Sequence, residues 1–332
     1  MMVKLTIAIP TFNGGKNLEN AIQSCKNIQL LPEDYEILVV DNCSTDDSIS
    51  SVNQLKNEFK NLVIIRNQKN VGRIQNWNVC IDNASGKFLI FLFSNDTINE
   101  KNNIHECLKL LNSDESISIG FASLIKKEIE NSYLKKSFST NIIQCKSKCF
   151  VKECLNRGLL PFGPIQSIIY RIEDIKKDQN EFLEKMPINA DEIFTYKEIM
   201  KREKILFTPK PQITWDLTQG RFHGKMKIED EFKEHSETIK IISELTGIDV
   251  DYGLVATYRA INLLKFTTGN FKSEGKKTAT KHLLSKMKQS KAFFNTDKIL
   301  FKTFLNKIKN SEKDADDILY SEIINKCMKE SR

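Results

Sequence analysis

Hydrophobic residues in the first hundred positions fall into short blocks that stop abruptly at polar ones. Val3 to Ile9, Glu36 to Val40, Leu62 to Ile65 and Phe88 to Phe93 read as strands. The last is six apolar residues in a row, the pattern of a strand buried on both faces, as in the centre of a parallel sheet. Between the strands the period changes to that of helices. Lys16 to Cys25 puts Leu18, Ala21, Ile22 and Cys25 on one face, and a second helix runs from about Asp46 to Phe59. Arg73 to Asn83 turns Ile74, Trp77 and Ile81 inward. Strand and helix alternating in this way predict a parallel sheet with right-handed crossovers. Ligands of such sheets bind outside the carboxyl ends of the strands.

Beyond residue 100 the pattern is mixed. Ile104 to Leu111, Phe150 to Leu155 and Glu192 to Met200 read as helices, and Ile117 to Ile125, Ile165 to Ile172 and Lys204 to Thr208 as strands. Residues 126–147 are too polar to assign, and past Gly224 the chain reads as helical and Lys-rich. The expected domains are 1–224, divided into a nucleotide-binding half (1–98) and an acceptor half (99–224), and a helical region, 225–332.

Three strand ends carry candidate chemistry: Thr11 with Asn13, Asp41 with Asp46 and Asp47, and Asn95 with Asp96. Parallel strands bring their carboxyl ends to one edge, so all three belong together. Asp46 also reads as a helix N-cap. Asp41 and Asp96 follow buried strands directly, where a carboxylate without a partner is costly. Gly14-Gly15-Lys16-Asn17 is not a P-loop, which needs an earlier glycine and a hydroxyl after the lysine. No GxGxxG follows the first strand, which argues against a dinucleotide enzyme.

Four segments then carry a family resemblance. Ile7-Ala8-Ile9-Pro10-Thr11-Phe12-Asn13, Leu38 to Asp46, Asn70-Val71-Gly72-Arg73 with Asn76-Trp77-Asn78, and Gly86 to Asp96 resemble, in order, the "IPTYN", "VVDDGSTD", "NxGRxxNWN" and "GKYIxFLxxDD" motifs of family 2 glycosyltransferases. The resemblance implies an α/β fold of GT-A type, a mostly parallel nucleotide-binding sheet flanked by helices, with a C-terminal helical region. It implies an inverting transfer of sugar from a nucleotide-diphosphate donor, usually a UDP-sugar, to a glycan or lipid-linked acceptor in surface-polysaccharide synthesis.

Residue by residue, it implies that Pro10, Thr11, Asn13, Asn70, Gly72, Arg73, Asn76, Ser94 and Asn95 line the nucleotide-sugar site and that Asp41 bonds the base. Asp96 would hold Mn²⁺ or Mg²⁺. Phe93-Ser94-Asn95-Asp96 keeps only the last acid of the family's acidic motif. Ala190-Asp191-Glu192-Ile193-Phe194 resembles the segment bearing the catalytic base. Asp191 is then that base or merely the cap of the following helix, in which case Glu192 is the fallback base. Arg221-Phe222-His223 resembles a late element that contacts metal or diphosphate, against the reading of His223 as a surface histidine. Trp215 is acceptor-site wall or core, and Gly163-Pro164-Ile165-Gln166 falls where the family has an acceptor loop.

Composition changes this picture little, since 28% charged and 40% hydrophobic residues are ordinary for a soluble globular chain. The net charge of +7 is local: residues 265–309 hold twelve Lys against Glu274 and Asp297. Within that stretch Lys298 to Lys309 forms a basic amphipathic helix, able to lie on an anionic membrane or to pack on the core with solvated lysines. Aromatic residues do not interleave with the basic run as a nucleic-acid platform would need. Eight Cys without a CxxC pair read as reduced, mostly buried thiols, and no segment resembles a signal peptide or a membrane span. The expectation is a cytoplasmic chain, with peripheral contact to the inner membrane face through 298–309 as an option. Two other classes use the same sheet edge, a nucleotidyltransferase and a non-catalytic GT-A-like binding module.

Overall fold

The computed structural model describes residues 4–129, 132–136, 142–156, 165–216, 228–248 and 323–328. The amino-terminal alternation is present as β1 (Leu5–Thr11), α1 (Gly15–Ser24), β2 (Tyr35–Asp41), α2 (Ser48–Leu55), β3 (Leu62–Arg66), α3 (Arg73–Asn83) and β4 (Phe88–Phe91). β1 pairs in parallel with β2 on one side and β4 on the other, and β3 extends the sheet beyond β2. Every residue of β1, β2 and β4 is buried, which is why these segments lack polar alternation. β4 hugs β1 closely: a Cβ on Gly86 would lie 2.6 Å from the Thr6 nitrogen. Thr6 Oγ1 accepts the Gly86 N–H (2.9 Å) and donates to Glu36 Oε1 (2.5 Å), so one hydroxyl joins three strands at their amino ends.

The chain continues through β5 (Thr97–Ile98), α4 (Ile104–Ser113), β6 (Ile117–Ile129), β7 (Ser132–Lys136), β8 (Ile143–Lys146), α5 (Ser147–Asn156), β9 (Ile168–Arg171), α6 (Ile172–Lys177), α7 (Ala190–Ile199), β10 (Lys204–Asp216) and α8 (Ile228–Thr246). The sheet order is β3-β2-β1-β4-β9-β6-β10-β5, with β7 on β6 and β8 on β10. β9 runs antiparallel to both β4 and β6, whereas β10 runs parallel to β6. The amino end of β9 and the carboxyl end of β10 therefore reach the same sheet edge as the carboxyl ends of β1, β2 and β4.

Several elements differ from expectation. Ile165 to Ile172 is divided into a 3₁₀ turn (Ile165–Ser167), β9 and the start of α6. β4 stops at Phe91, although the Leu92 N–H still reaches Ala8 O at 2.9 Å. Residues 126–147, unassigned from pattern, contain the end of β6 and all of β7 and β8. β10 passes through Pro209 and Pro211 with register shifts against β6 between Thr208 and Ile213, as expected where proline removes a ladder donor. Arg171 is 1% exposed and donates to the carbonyls of Ile117 (2.8 Å), Leu111 and Asp114, tying β9 to the ends of α4 and β6.

The chain divides into two units, Met1–Ser147 with Phe162–Gly220, and Lys148–Pro161 with Arg221–Arg332. In the second unit α5 buries Phe150, Val151, Cys154 and Leu155, and α8 buries Thr238, Ile239, Ile242 and Thr246. Cys149 of α5 and Cys327 of a short helical segment, 323–328, form a disulfide, and Lys326 Nζ of that segment lies 2.7 Å from Glu153 Oε1 of α5. This corrects the expectation of eight reduced thiols. The partners stand 178 residues apart in sequence, so spacing gives no sign of them. Among the described residues no helix is long and apolar enough to cross a membrane. Residues 298–309, with their expected amphipathic helix, lie outside the described residues.

Candidate functional site

The turns after β1 and β2 are stitched into one wall. Asn13 takes a left-handed conformation (φ 53°), so its N–H meets Ser44 Oγ at 2.9 Å while its side-chain oxygen accepts the Thr45 N–H at 2.9 Å. The Gly15 N–H donates to Ser48 Oγ at 2.8 Å. Asp46 accepts from the Ser48 hydroxyl (2.5 Å) and N–H (3.1 Å), and that hydroxyl holds its carboxyl below the ordinary value. Asp47 occupies the N-cap position of α2 without a side-chain cap bond.

Asp41 is fully buried, and Oδ1 accepts the Ser44 N–H (2.9 Å) and hydroxyl. Oδ2 lies 3.2 Å from Arg66 Nε in an ion pair and accepts no hydrogen bond among the described residues. Thr11 is 3% exposed and its hydroxyl also has no hydrogen-bond partner among the described residues. A Cβ on Gly14 would come within 2.6 Å of Thr11 Oγ1 and 3.3 Å of Ser94 Cβ, so the turns after β1 and β4 meet there. Phe12, between the two candidate residues of the first turn, is 48% exposed. Pro10 is buried within β1.

The segment from Asn70 to Asn78 serves the scaffold of this edge. Asn42 Nδ2 donates to Asn70 Oδ1 (2.9 Å), and Asn42 Oδ1 accepts the Val71 N–H (2.8 Å). Asn67 joins Asn42 to Asn76, and Asn76 Nδ2 donates to Val40 O at 3.1 Å. Gly72 (φ 87°) stands at the N-cap of α3. Arg73 stacks its guanidinium 4.8 Å above the Trp77 ring and donates to Pro187 O. Asn78 clamps Phe182, accepting its N–H (2.8 Å) and donating to its carbonyl (3.0 Å). One face of α3 thus fixes the segment that leads into α7.

Asp191 sits half-buried in the first turn of α7, whose N-cap position belongs to Asn189, so Asp191 is not the cap. Its carboxylate accepts the Glu192 N–H at 3.0 Å, and Glu192 is likewise half-buried. The Thr195 hydroxyl donates to Asp191 O (2.7 Å) and meets the buried Tyr170 hydroxyl (2.7 Å), which anchors this turn to β9. Further along α7, burial pushes Glu198 up to about 7, and Asn180 Nδ2 donates to it at 2.7 Å.

Asp96 follows β4 and is 1% exposed. Gln166 Nε2 donates to its Oδ2 (2.8 Å) and the Asp216 N–H to its Oδ1 (3.1 Å). Burial is the main cause that pushes its carboxyl up to about 7, with the nearby Asp216 charge adding to it. Asn95 Nδ2 donates to Asp216 O at 3.0 Å, closing the turn against the end of β10. Trp215 packs partly buried against the hydrophobic core.

Gln166 and Asp216 are the residues that pattern reading missed at this edge. Gln166 fell in the expected acceptor loop, yet it bonds Asp96, and its other loop residues Gly163 and Pro164 lie outside the described residues. So do Arg221, Phe222 and His223, including the expected second metal contact.

Among the described residues no three His, Cys, Asp or Glu side chains gather to hold a metal ion. Mn²⁺ and Mg²⁺, however, are commonly bound through one or two carboxylates plus substrate phosphates. Asp96 fits that use: it keeps free lone pairs on both oxygens, and its charge is buried without an ion-pair partner among the described residues. The neighbouring Gln166 Oε1 is a buried acceptor with no hydrogen bond among the described residues.

The protein-family model "Glycosyl transferase family 2" matches residues 6–178. Of curated relatives, the poly(ribitol-phosphate) beta-N-acetylglucosaminyltransferase TarS of Staphylococcus aureus (strain Mu50) is 24% identical over 207 residues, 61% of this chain and 34% of the relative. A dolichyl N-acetyl-alpha-D-glucosaminyl phosphate 3-beta-D-2,3-diacetamido-2,3-dideoxy-beta-D-glucuronosyltransferase of Methanococcus voltae is 28% identical over 182 residues, 52% of this chain and 56% of the relative. The matches thus span about a third to just over half of these two relatives. In structure, S. aureus TarS 1–349 in complex with UDP-GlcNAc superposes with a TM-score of 0.66 at 18% identity, covering 99% of this chain and 93% of that one. The mannosyltransferase PcManGT of Pyrobaculum calidifontis, in complex with GDP-Man and Mn²⁺, gives 0.50 at 12% identity, covering 97% and 87%.

Proposed function

The chain belongs to glycosyl transferase family 2 and has a GT-A-type fold, and from that premise we propose that it is an inverting glycosyltransferase that moves sugar from a UDP-sugar to a glycan or lipid-linked hydroxyl during surface-polysaccharide synthesis. The observation that carries this reading is the convergence of Thr11, Asn13, Asp41 and Asp96 on one sheet edge, with Asp96 a buried carboxylate that has no counter-charge among the described residues. In this reading the nucleotide lies along the wall made by the turns after β1 and β2, where Asp41 faces the base and Thr11 and Asn13 the crevice. Asn95 and Ser94 lie beside the sugar-diphosphate. Asp96 would hold Mn²⁺ or Mg²⁺ there. The ion, when bound, supplies Lewis-acid stabilisation of the leaving group's negative charge.

Asp191 takes the proton from the acceptor hydroxyl. The oxygen bonds to C1 of the sugar as the C1–O bond to the diphosphate breaks, and that electron pair leaves with the nucleotide. Attack on the face opposite the leaving group inverts the anomeric centre. The fixed first turn of α7, tied through Thr195 to Tyr170, supports Asp191 in this role. General-base catalysis typically contributes 10²–10⁴-fold, so Asp191→Asn lowers transfer by about 10²-fold or more with the donor affinity unchanged. Steady-state kinetics beside donor titration checks this. A variant that keeps full transfer activity rules out Asp191 as the base.

A further inference from the structure

We propose that Gln166 positions the Asp96 carboxylate for a divalent cation and the donor diphosphate, an inference that rests on the donor-site reading above. Gln166 is 1% exposed, and its amide nitrogen donates to Asp96 Oδ2 at 2.8 Å. Its own backbone is held in turn, because Gln212 Nε2 donates to Gln166 O at 2.7 Å. On the other side the Asp216 N–H reaches Asp96 Oδ1 at 3.1 Å. Donors leading into β9 and ending β10 therefore fix the carboxylate at both oxygens, and the reversed direction of β9 is what brings Gln166 to this edge.

Neutral donors matter here. A lysine or arginine at the same place would orient the carboxylate equally well but cancel the charge a cation needs. Two uncharged N–H groups fix its rotation, leave its charge intact and leave lone pairs on each oxygen. Hydrogen bonds of this kind to a ligating group are usually worth 10–100-fold in metal affinity. The Gln166 Oε1 atom, buried without a hydrogen bond among the described residues, adds a neutral oxygen next to the same carboxylate. If Gln166 only filled space, a methionine of similar length would replace it at no cost to the site.

The test titrates Mn²⁺ into the full chain with UDP present and follows free Mn²⁺ by electron paramagnetic resonance. Q166M should weaken Mn²⁺ binding about 10-fold while UDP affinity in EDTA stays as in the parent. D96N should lose the Mn²⁺ site. In Q166K the ammonium group keeps a donor beside Asp96 but cancels its charge, so this variant should also lose Mn²⁺. It serves as the readout should Q166M not fold. Parental Mn²⁺ affinity in Q166M or Q166K, with binding lost in D96N, overturns the role of Gln166 and leaves the donor site standing. Parental affinity in D96N as well overturns both.

Discussion

Asp96→Asn offers a test that needs neither donor nor acceptor. The carboxyl titrates near 7 in the folded chain against an ordinary value of 3.8, because burial disfavours its charge. A carboxyl raised in the fold keeps its proton there at pH values where the unfolded chain has lost it. Folding stability therefore falls as pH rises from about 4 to about 7, by about 1.4 kcal/mol per pH unit. Above pH 7 the whole cost, about 4 kcal/mol, is present. Asparagine removes the charge without changing the shape. It also keeps its bonds, since its oxygen accepts the Asp216 N–H and a half-turn of the Gln166 amide presents the unpartnered Oε1 to its NH₂ group. The variant should be more stable than the parent by about 3–4 kcal/mol at pH 8, and by less than half of that at pH 5. Urea unfolding in EDTA at both pH values measures this. Glu198, also raised to about 7, gives the same pH dependence to both proteins and cancels in the difference. A variant less stable than the parent at pH 8, or a difference that does not change with pH, refutes the reasoning.

Two further predictions concern the scaffold. Asn78→Ala strips the buried Phe182 N–H and carbonyl of their partners and should cost about 2–4 kcal/mol in denaturant unfolding, whereas an unchanged midpoint would contradict the clamp between α3 and the segment before α7. Alkylation of the denatured, unreduced chain should modify the six cysteines outside the Cys149–Cys327 bond, and eight only after reduction; eight modified without reductant would show that the bond is absent.

β1, β2 and β4 are legible because a parallel sheet buried on both faces writes itself as unbroken apolar blocks, β3 because its short run Leu62 to Ile65 is apolar although it lies at the sheet edge with Val63 exposed, and turn residues mark where each ends. The middle of the sheet is not. Ile165 to Ile172 is apolar whether it enters parallel or antiparallel, and the reversal shows only in its pairing with β4 and β6. The direction matters, because it brings Gln166 to Asp96. From sequence β10 reads only to Thr208, since Pro209 and Pro211 usually end strands, yet here they sit where the ladder shifts register. Asp41 and Asp96 were identifiable as acids at strand ends, but what surrounds them was not: Arg66, Gln166 and Asp216 come from distant segments with no local signature. The Asn70–Asn78 motif was visible, but its scaffold contacts with Val40, Phe182 and Pro187 appear only in three dimensions.

The central claim, that this sheet edge binds a nucleotide-diphosphate sugar, is tested most directly by thermal unfolding against a panel of UDP- and GDP-sugars with Mn²⁺. Ligand at a hundred times its dissociation constant stabilises a fold by about 2.7 kcal/mol. At least one UDP-sugar should therefore raise the midpoint clearly in the parent, and lose most of that effect in EDTA or in Asp96→Asn. A panel in which no nucleotide sugar moves the midpoint, at any concentration up to millimolar, would contradict the account.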